Sequence, residues 1–334
     1  AIRVVPPARA LGRGEPLGQD VALYGEWTAA AGRAFSSERF DVIHVFRRAA
    51  LPFAECYQVS ARSGAADWHL DLDDVESRSQ ARLAGLYARY GRAAEQADAE
   101  RLAAEAGAFE GTVLRVWDRV YVCSALDRAD LLARSGEHRA EVVVLPNVVA
   151  LPVDPGPAPR GRPLTLLFVA SFGHVPNADA AGWLCRQILP VLRERAPVPV
   201  RVLLVGSGVP PVVQDLDHIP EVHVVGPVPD VAAWYRQADI AVVPLRAGGG
   251  TRIKVLEALA HRRPVVSTAL GAEGLDLVDG EHLLVADRAH HFAEQCLRLV
   301  TDAALAARLA DAGRARVAAR YGPGVPGEIL SAPR

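Results

Sequence analysis

The chain has no methionine among its 334 residues, not even at the first position. An Ala- and Arg-rich composition of this length would ordinarily include several. The absence fits a trimmed chain, a sequence from which modified residues were left out, or chance together with loss of the initiator. Cysteine is scarce as well: Cys56, Cys123, Cys185 and Cys296 stand apart among apolar neighbours, with no C-x-x-C or metal-ligand spacing. They read as reduced core thiols of a cytoplasmic protein. No apolar run approaches the roughly 18 residues that span a bilayer, and no signal peptide opens the chain, so any membrane contact is expected to be peripheral. Nor does one sign of charge dominate. Lys plus Arg number 37 against 39 Asp plus Glu, so no global basic field points to nucleic acid as a partner.

The length suits two domains, each able to bury its own core. In the second half, apolar β-rich runs recur at 164–169, 200–205, 221–225, 239–243, 264–267 and 282–285, with helical patterns at 178–195 and 231–237. Buried strands alternating with helices specify a parallel, doubly wound sheet whose ligands bind beyond the carboxyl ends of the strands. Ser171-Phe172-Gly173, Gly206–Gly208, Gly226–Val228 and Gly248–Gly250 all fall at such ends. The first half offers strands at 2–5, 41–46, 68–72, 119–123 and 141–145, and between the halves ALPVDPGPAPRGRP (150–163) is too rich in proline and glycine for a regular element. The domain expectation is therefore 1–149, a linker at 150–163, a second domain at 164–315, and a segment 316–334 returning toward the first. Residues 77–114 are rich in Ala, Arg and Glu and read as a solvated helix pair with no assigned function.

The densest signal is PLRAGGGTRIKVLEALAHRRPVVSTALGAEGL, Pro244 to Leu275. It reads as a buried strand, a glycine turn, and a helix over 251–261 opened by a capping Thr251. Amides at a helix start form an anion site, and glycines let the backbone approach a phosphate closely. Arg252 and Lys254 stand in the first turn, where cations face the positive end of the helix dipole at a cost of about 0.3–1 kcal/mol each, so an anion between them would relieve the conflict. The plain alternative is a loop before a helix on whose solvated face Lys254 pairs with Glu257.

This segment resembles the donor-site signature of the retaining GT-B glycosyltransferases of family 4, in the branch where GGGTR[LI]K leads into LEA and a PVVST–EGL run. FVASFGHVPNAD (168–179), Tyr121–Ser124 and VVVLPN (142–147) resemble further family segments. The resemblance implies two Rossmann-like doubly wound domains facing across a cleft, and transfer of a sugar from a nucleotide diphosphate donor with retention of configuration. It implies no metal and no cofactor. The acceptor is left open as a glycan, a lipid-linked sugar or a small molecule. By the same resemblance, Glu257 accepts hydrogen bonds from the donor ribose, and Gly249, Gly250 and Thr251 hold the diphosphate. Ser171, Phe172, Gly173, Gly206, Gly226 and Val228 complete the donor side, while Lys254 and Arg252 act as catalytic cations.

Three departures from the family pattern stand out. Many relatives carry a glutamate eight residues before the one at Glu257, where this chain has Gly249. The first glycine turn offers His174 and Asn177 in place of an arginine and a lysine. The N-terminal domain lacks the family's opening strand and glycine turn.

In the first domain, WHLDLDDVES (68–77) puts a carboxylate cluster at a strand end. It reads as a helix cap at Asp74, as a D-x-D metal pair of Asp71 and Asp73, or, by position against the family's strand-end histidine, as a catalytic Asp73 that orients the acceptor hydroxyl or helps its proton leave. His44, alone among Val, Ile and Phe, reads as a core residue. Two other functions fit a two-domain nucleotide-sugar protein: a non-hydrolysing 2-epimerase, and an inactive nucleotide-sugar-binding partner subunit.

Overall fold

The computed structural model describes residues 40–51, 66–160 and 163–331. The strand expected at 2–5, and Cys56, lie outside the described residues. Two compact units emerge: the described residues up to Val75 with Gly107–Val144, and Glu76–Ala106 with the described residues from Leu145 onward.

The first unit carries β1 (Val42–Phe46), β2 (Asp67–Asp71), β3 (Arg119–Val122) and β4 (Glu141–Val144), all parallel and in that order. Helices α1 (Glu76–Arg89) and α2 (Ala93–Val116) follow β2, and α3 (Ala125–Arg134) follows β3. Ser124 caps α3 by accepting from the Asp127 amide at 3.1 Å. In register, Leu70 lies beside Val120 and Val120 beside Val142, and this row packs with Leu114 and Leu131 as the unit's core.

The second unit holds β5 (Leu164–Val169), β6 (Val200–Val205), β7 (Val222–Gly226), β8 (Ile240–Val243), β9 (Val265–Ser267) and β10 (Leu284–Val285). All are parallel, in the order β10-β9-β8-β5-β6-β7. Counted from β5, that is the third-second-first-fourth-fifth-sixth order of a doubly wound nucleotide-binding sheet, with its switch point between β5 and β8. Every residue of β8 and nearly every one of β5 is buried, which is why these strands read as unbroken apolar runs rather than alternating ones. Its helices include α4 (Val175–Trp183), α5 (Leu189–Arg195), α6 (Ala232–Gln237), α7 (Ile253–Ala260), α8 (Ala289–Thr301) and α9 (Ala303–Tyr321).

Three expectations need correction. The helix expected at 178–195 starts earlier, at Val175 with Pro176 in its first turn, and is interrupted by a π turn over Leu184–Ile188. The turn precedes Pro190, whose missing N–H and bulky ring disfavour the regular bond to the carbonyl four residues back. The helix expected over 251–261 runs only over Ile253–Ala260, and Thr251 is not its cap: Arg252 is, without a side-chain cap bond. The Thr251 hydroxyl instead accepts from Asn147 Nδ2 at 3.0 Å, a partner 104 residues away that no local pattern announces. The last strand is shorter than its apolar run because His282 Nδ1 accepts from the Val278 amide at 3.0 Å and closes the preceding turn.

The described part of the proline-rich stretch is anchored by Arg263, which is fully buried. Its guanidinium donates to the carbonyls of Pro157 (2.9 Å), Pro155 (3.3 Å), Gly156, Ala238 (3.4 Å) and His261 (2.9 Å). Burial, reinforced by Arg262, lowers its pKa to about 10. Cys185 and Cys296 are free, and both are buried, as is Cys123; burial pushes the Cys185 thiol up to about 12.

Candidate functional site

At the switch point, two strand–turn–helix corners meet. β5 exits through Ser171-Phe172-Gly173 into α4, and β8 exits through Gly248–Gly250 into α7. Lys254 on α7 donates to Asn177 Oδ1 on α4 at 2.9 Å, while Asn177 Nδ2 donates back to the Ser171 carbonyl at 2.7 Å. Asn177 is thus fixed from both ends of its amide, and the lysine is tied to the turn after β5. Burial, with the Arg252 charge beside it, lowers Lys254 to about pKa 8, opposed by the carboxylate of Glu257. This differs from a lysine on a solvated face.

Glu257, one turn further along α7, is half-buried and accepts from the Tyr235 hydroxyl. Burial raises its pKa, while Lys254 and Tyr235 act in the opposite direction. Tyr235 is 1% exposed and stacks on His261 with ring centroids 4.6 Å apart.

Arg252 is only 4% exposed and turns back on the glycine turn, donating to the carbonyls of Gly250 and, at 3.2 Å, Gly248. In a trans peptide the C=O of one residue and the N–H of the next point in opposite directions. With both carbonyls on the arginine side, the N–H groups of Gly249 and Thr251 face the other way. Arg252 therefore orients the turn.

The other turns close in around the same end of the sheet. Phe172 N donates to Ser207 O at 2.8 Å, and Gly206 N donates to Gly226 O at 2.8 Å. Gly206 has φ 145°, and a Cβ there would lie 1.8 Å from the Ala170 carbonyl oxygen, so only glycine lets the exits of β5 and β6 approach this closely. The Phe172 side chain is fully buried edge-to-face against Phe168, which leaves its backbone as the part near the exit. Val228 lies just beyond β7. The turns expected to gather at the carboxyl ends of β5, β6, β7 and β8 thus do so.

Sequence reasoning missed the contribution of α1 and its connection to α2. Arg82 on α1 pairs bidentately with Glu273 at 2.6 and 2.8 Å and also reaches the Gly248 carbonyl at 3.3 Å. Burial works against ionisation of Glu273, yet the hydrogen bonds from Arg82 and the charges of Arg82, Arg78 and Arg252 hold its pKa below the ordinary value. Nearby, Asp179 of α4 is bound by Arg246, with Nε at 3.0 Å, and by the Tyr90 hydroxyl. Arg246 also lies over the Trp183 ring at 5.4 Å. The exposed face expected of this helix pair is seen at Arg101, which bridges Asp98 and Glu105 on α2.

In the first unit, Asp71 and Asp73 lie at the carboxyl end of β2. Asp73 pairs with Arg47 and accepts from the Cys123 thiol at 3.2 Å. Asp71 Oδ1 accepts from the Asp73 amide at 3.0 Å, and burial raises its pKa. Arg47 and Asp73 both adopt positive φ, 65° and 59°, in residues that seldom do so. Backbone held in such conformations clusters at functional sites. His44, expected in the core, is instead exposed on β1, with its ring centroid 5.5 Å from that of Tyr121.

Residues 163–302 match the protein family described as Glycosyl transferases group 1. That stretch is a glycosyl transferase group 1 domain, and the chain is a glycosyltransferase by class. Among solved structures, the chain is similar to sucrose-phosphate synthase of Thermosynechococcus elongatus, with TM-score 0.66 and 19% identity over 92% of this chain and 77% of that one. It is similar also to Alr3699/HepE of Anabaena, solved in complex with UDP and glucose, with TM-score 0.66 and 14% identity over 95% and 83%. A glycosyltransferase from Rickettsia africae ESF-5 gives TM-score 0.65 and 13% identity over 96% and 84%. No curated protein matches the chain in sequence. At these identities the likeness shows the fold, GT-B with two Rossmann-like units. Among the described residues no helix is long and apolar enough to cross a membrane.

Proposed function

We propose that the chain transfers a sugar from a nucleotide diphosphate donor to an acceptor, with retention and without a metal ion, as a family 4 enzyme. The observation that carries this is the bond between Lys254 and Asn177, which joins the two helix starts at the switch point of a group 1 glycosyl transferase domain. In such sheets ligands sit beyond that point. The donor diphosphate lies against the Gly249 and Thr251 amides, with Lys254 as the cation that meets charge growing on the leaving group, in keeping with preorganised electrostatic stabilisation. Arg252 shapes the turn rather than touching the donor. Glu257, held by Tyr235, accepts from the ribose hydroxyls. The Alr3699/HepE structure with UDP and glucose supports a nucleotide-sugar as ligand.

On the acceptor side, Asp73 orients the hydroxyl that attacks, and its pairing with Arg47 holds the carboxylate in place. The acceptor class stays a glycan, a lipid-linked sugar or a small molecule, and the protein works in the cytoplasm, soluble or peripheral at a membrane. The test is thermal unfolding against a panel of nucleotide-sugars, followed by turnover of the stabilising donor with and without EDTA. One donor at 100 times its Kd adds about 2.7 kcal/mol, and chelation leaves turnover unchanged. No stabilisation by any donor contradicts the reading, and activity lost to EDTA and restored by a divalent ion contradicts its metal-free part.

A further inference from the structure

Gly248, Gly249 and Gly250 have no side chains with which to lock themselves, and Gly248 and Gly250 sit at φ 108° and 68°. Glycines lose more conformational freedom on ordering than any other residue, so a turn that presents its amides in one fixed direction must be held from outside. Arg252 supplies one hold, from the helix the turn leads into. A second comes from Arg82, on a helix outside the nucleotide-binding sheet.

Arg82 is itself held. Its planar fork meets both oxygens of Glu273, and Glu273 ends the one-turn helix Ala269–Ala272 after β9. Thr268 caps that helix through the Gly271 amide at 2.9 Å, and its hydroxyl donates to the Leu245 carbonyl at 2.6 Å, on the exit of β8. A closed path of hydrogen bonds and short backbone segments thus runs from the β8 exit through Thr268 and the helix Ala269–Ala272 to Glu273, Arg82 and back to Gly248. The bidentate pair fixes the guanidinium plane as well as its position, and this leaves the remaining reach of Nη1 directed at Gly248 O, at 3.3 Å.

We propose that Arg82 is a positioning residue for donor binding: anchored on Glu273, it holds the Gly248 carbonyl and so keeps the Gly249 and Thr251 amides turned toward the ligand. The proposal rests on the donor site given under Proposed function. It assigns a role to α1, a helix outside the nucleotide-binding sheet, and it gives Glu273 the role of the anchor's other half.

The test compares wild type, Arg82→Ala, Arg82→Lys and Glu273→Gln in two measurements. The first is the backbone order of Gly249 and Gly250 by ¹⁵N relaxation in the ligand-free protein. In wild type the order parameters are near 0.85, and in Arg82→Ala they fall below about 0.6. The second is the Kd for UDP, GDP and ADP by calorimetry. Arg82→Ala weakens whichever binds by about 10- to 100-fold, the range a displaced positioning group produces. Arg82→Lys and Glu273→Gln fall in between, since neither keeps the two-pronged charged contact, and all four proteins melt within a few degrees of one another. Unchanged order at Gly249 and Gly250 in Arg82→Ala overturns the proposal, as does increased mobility with unchanged Kd. If wild type binds none of the three nucleotides, the donor-site reading fails, and the order parameters alone then decide whether Arg82 holds the turn. A variant of Arg82 that unfolds is replaced by Glu273→Gln, for which the same two outcomes decide.

Discussion

Lys254 is the residue through which pH should act on this protein. Its pKa of about 8, against an ordinary 10.5, has two consequences of opposite sign. Between these values the unfolded chain binds a proton that the folded one does not, so folding stability rises with pH across that window, while below it the cost of burying the charged amine is present in full and does not vary with pH. Donor binding runs the other way, because a neutral amine no longer attracts a diphosphate. We therefore expect kcat/KM, which reports the free enzyme, to fall as pH passes upward through about 8. Pre-steady-state or steady-state rates from pH 6 upward check it. A profile that stays flat well past that point, in protein still folded, removes Lys254 from the cationic role.

At the scale of elements, Arg263 shows how one side chain can fix a stretch that composition alone would call loose. It satisfies carbonyls on both sides of itself, from the proline-rich stretch and from the ends of α6 and α7. Arg263→Met keeps the volume and strands those carbonyls, each worth about 1–3 kcal/mol if left unpaired in the interior. A loss of roughly 3 kcal/mol or more in denaturant unfolding is expected, and a loss below about 1 kcal/mol would show that the carbonyls find water instead. Nothing in HRRP (261–264) distinguishes this arginine from its half-buried neighbour Arg262, since both look like helix-end cations.

The contrast between the two arginines marks what the sequence reveals and what it does not. Strands β5, β6 and β8 announce themselves because a strand buried on both faces needs an unbroken apolar run. The glycine turns do so because glycine is what a close approach such as that of Gly206 to Ala170 demands. Lys254 stands out in the same way, as a cation in the first turn behind a glycine run, and Glu257 through the family resemblance of the segment that follows. The partners of these groups were not. Asn147 with Thr251, Arg82 with Glu273, Tyr235 with Glu257 and Arg47 with Asp73 are each set by the fold that brings distant segments together, and a polar residue awaiting such a partner reads like any surface residue. Thr251 was misjudged as a cap for this reason: a local rule was applied to a side chain already engaged by Asn147.

For the whole molecule, the sheet order of the second unit sets a switch point at its carboxyl edge, the glycosyl transferase group 1 match covers residues 163–302 of that unit, and the GT-B likeness concerns the fold. The account's central claim is that a nucleotide diphosphate sugar binds there, between the starts of α4 and α7. Titration calorimetry of wild type, Lys254→Ala and Glu257→Ala with nucleotide-sugars of each common base tests it most directly. The account predicts that one donor binds the wild type, and that each variant, still folded, binds it about 10- to 150-fold more weakly, the loss of a charged hydrogen bond of about 1.5–3 kcal/mol. Absence of binding by every donor, or equal affinity in both folded variants, would contradict it.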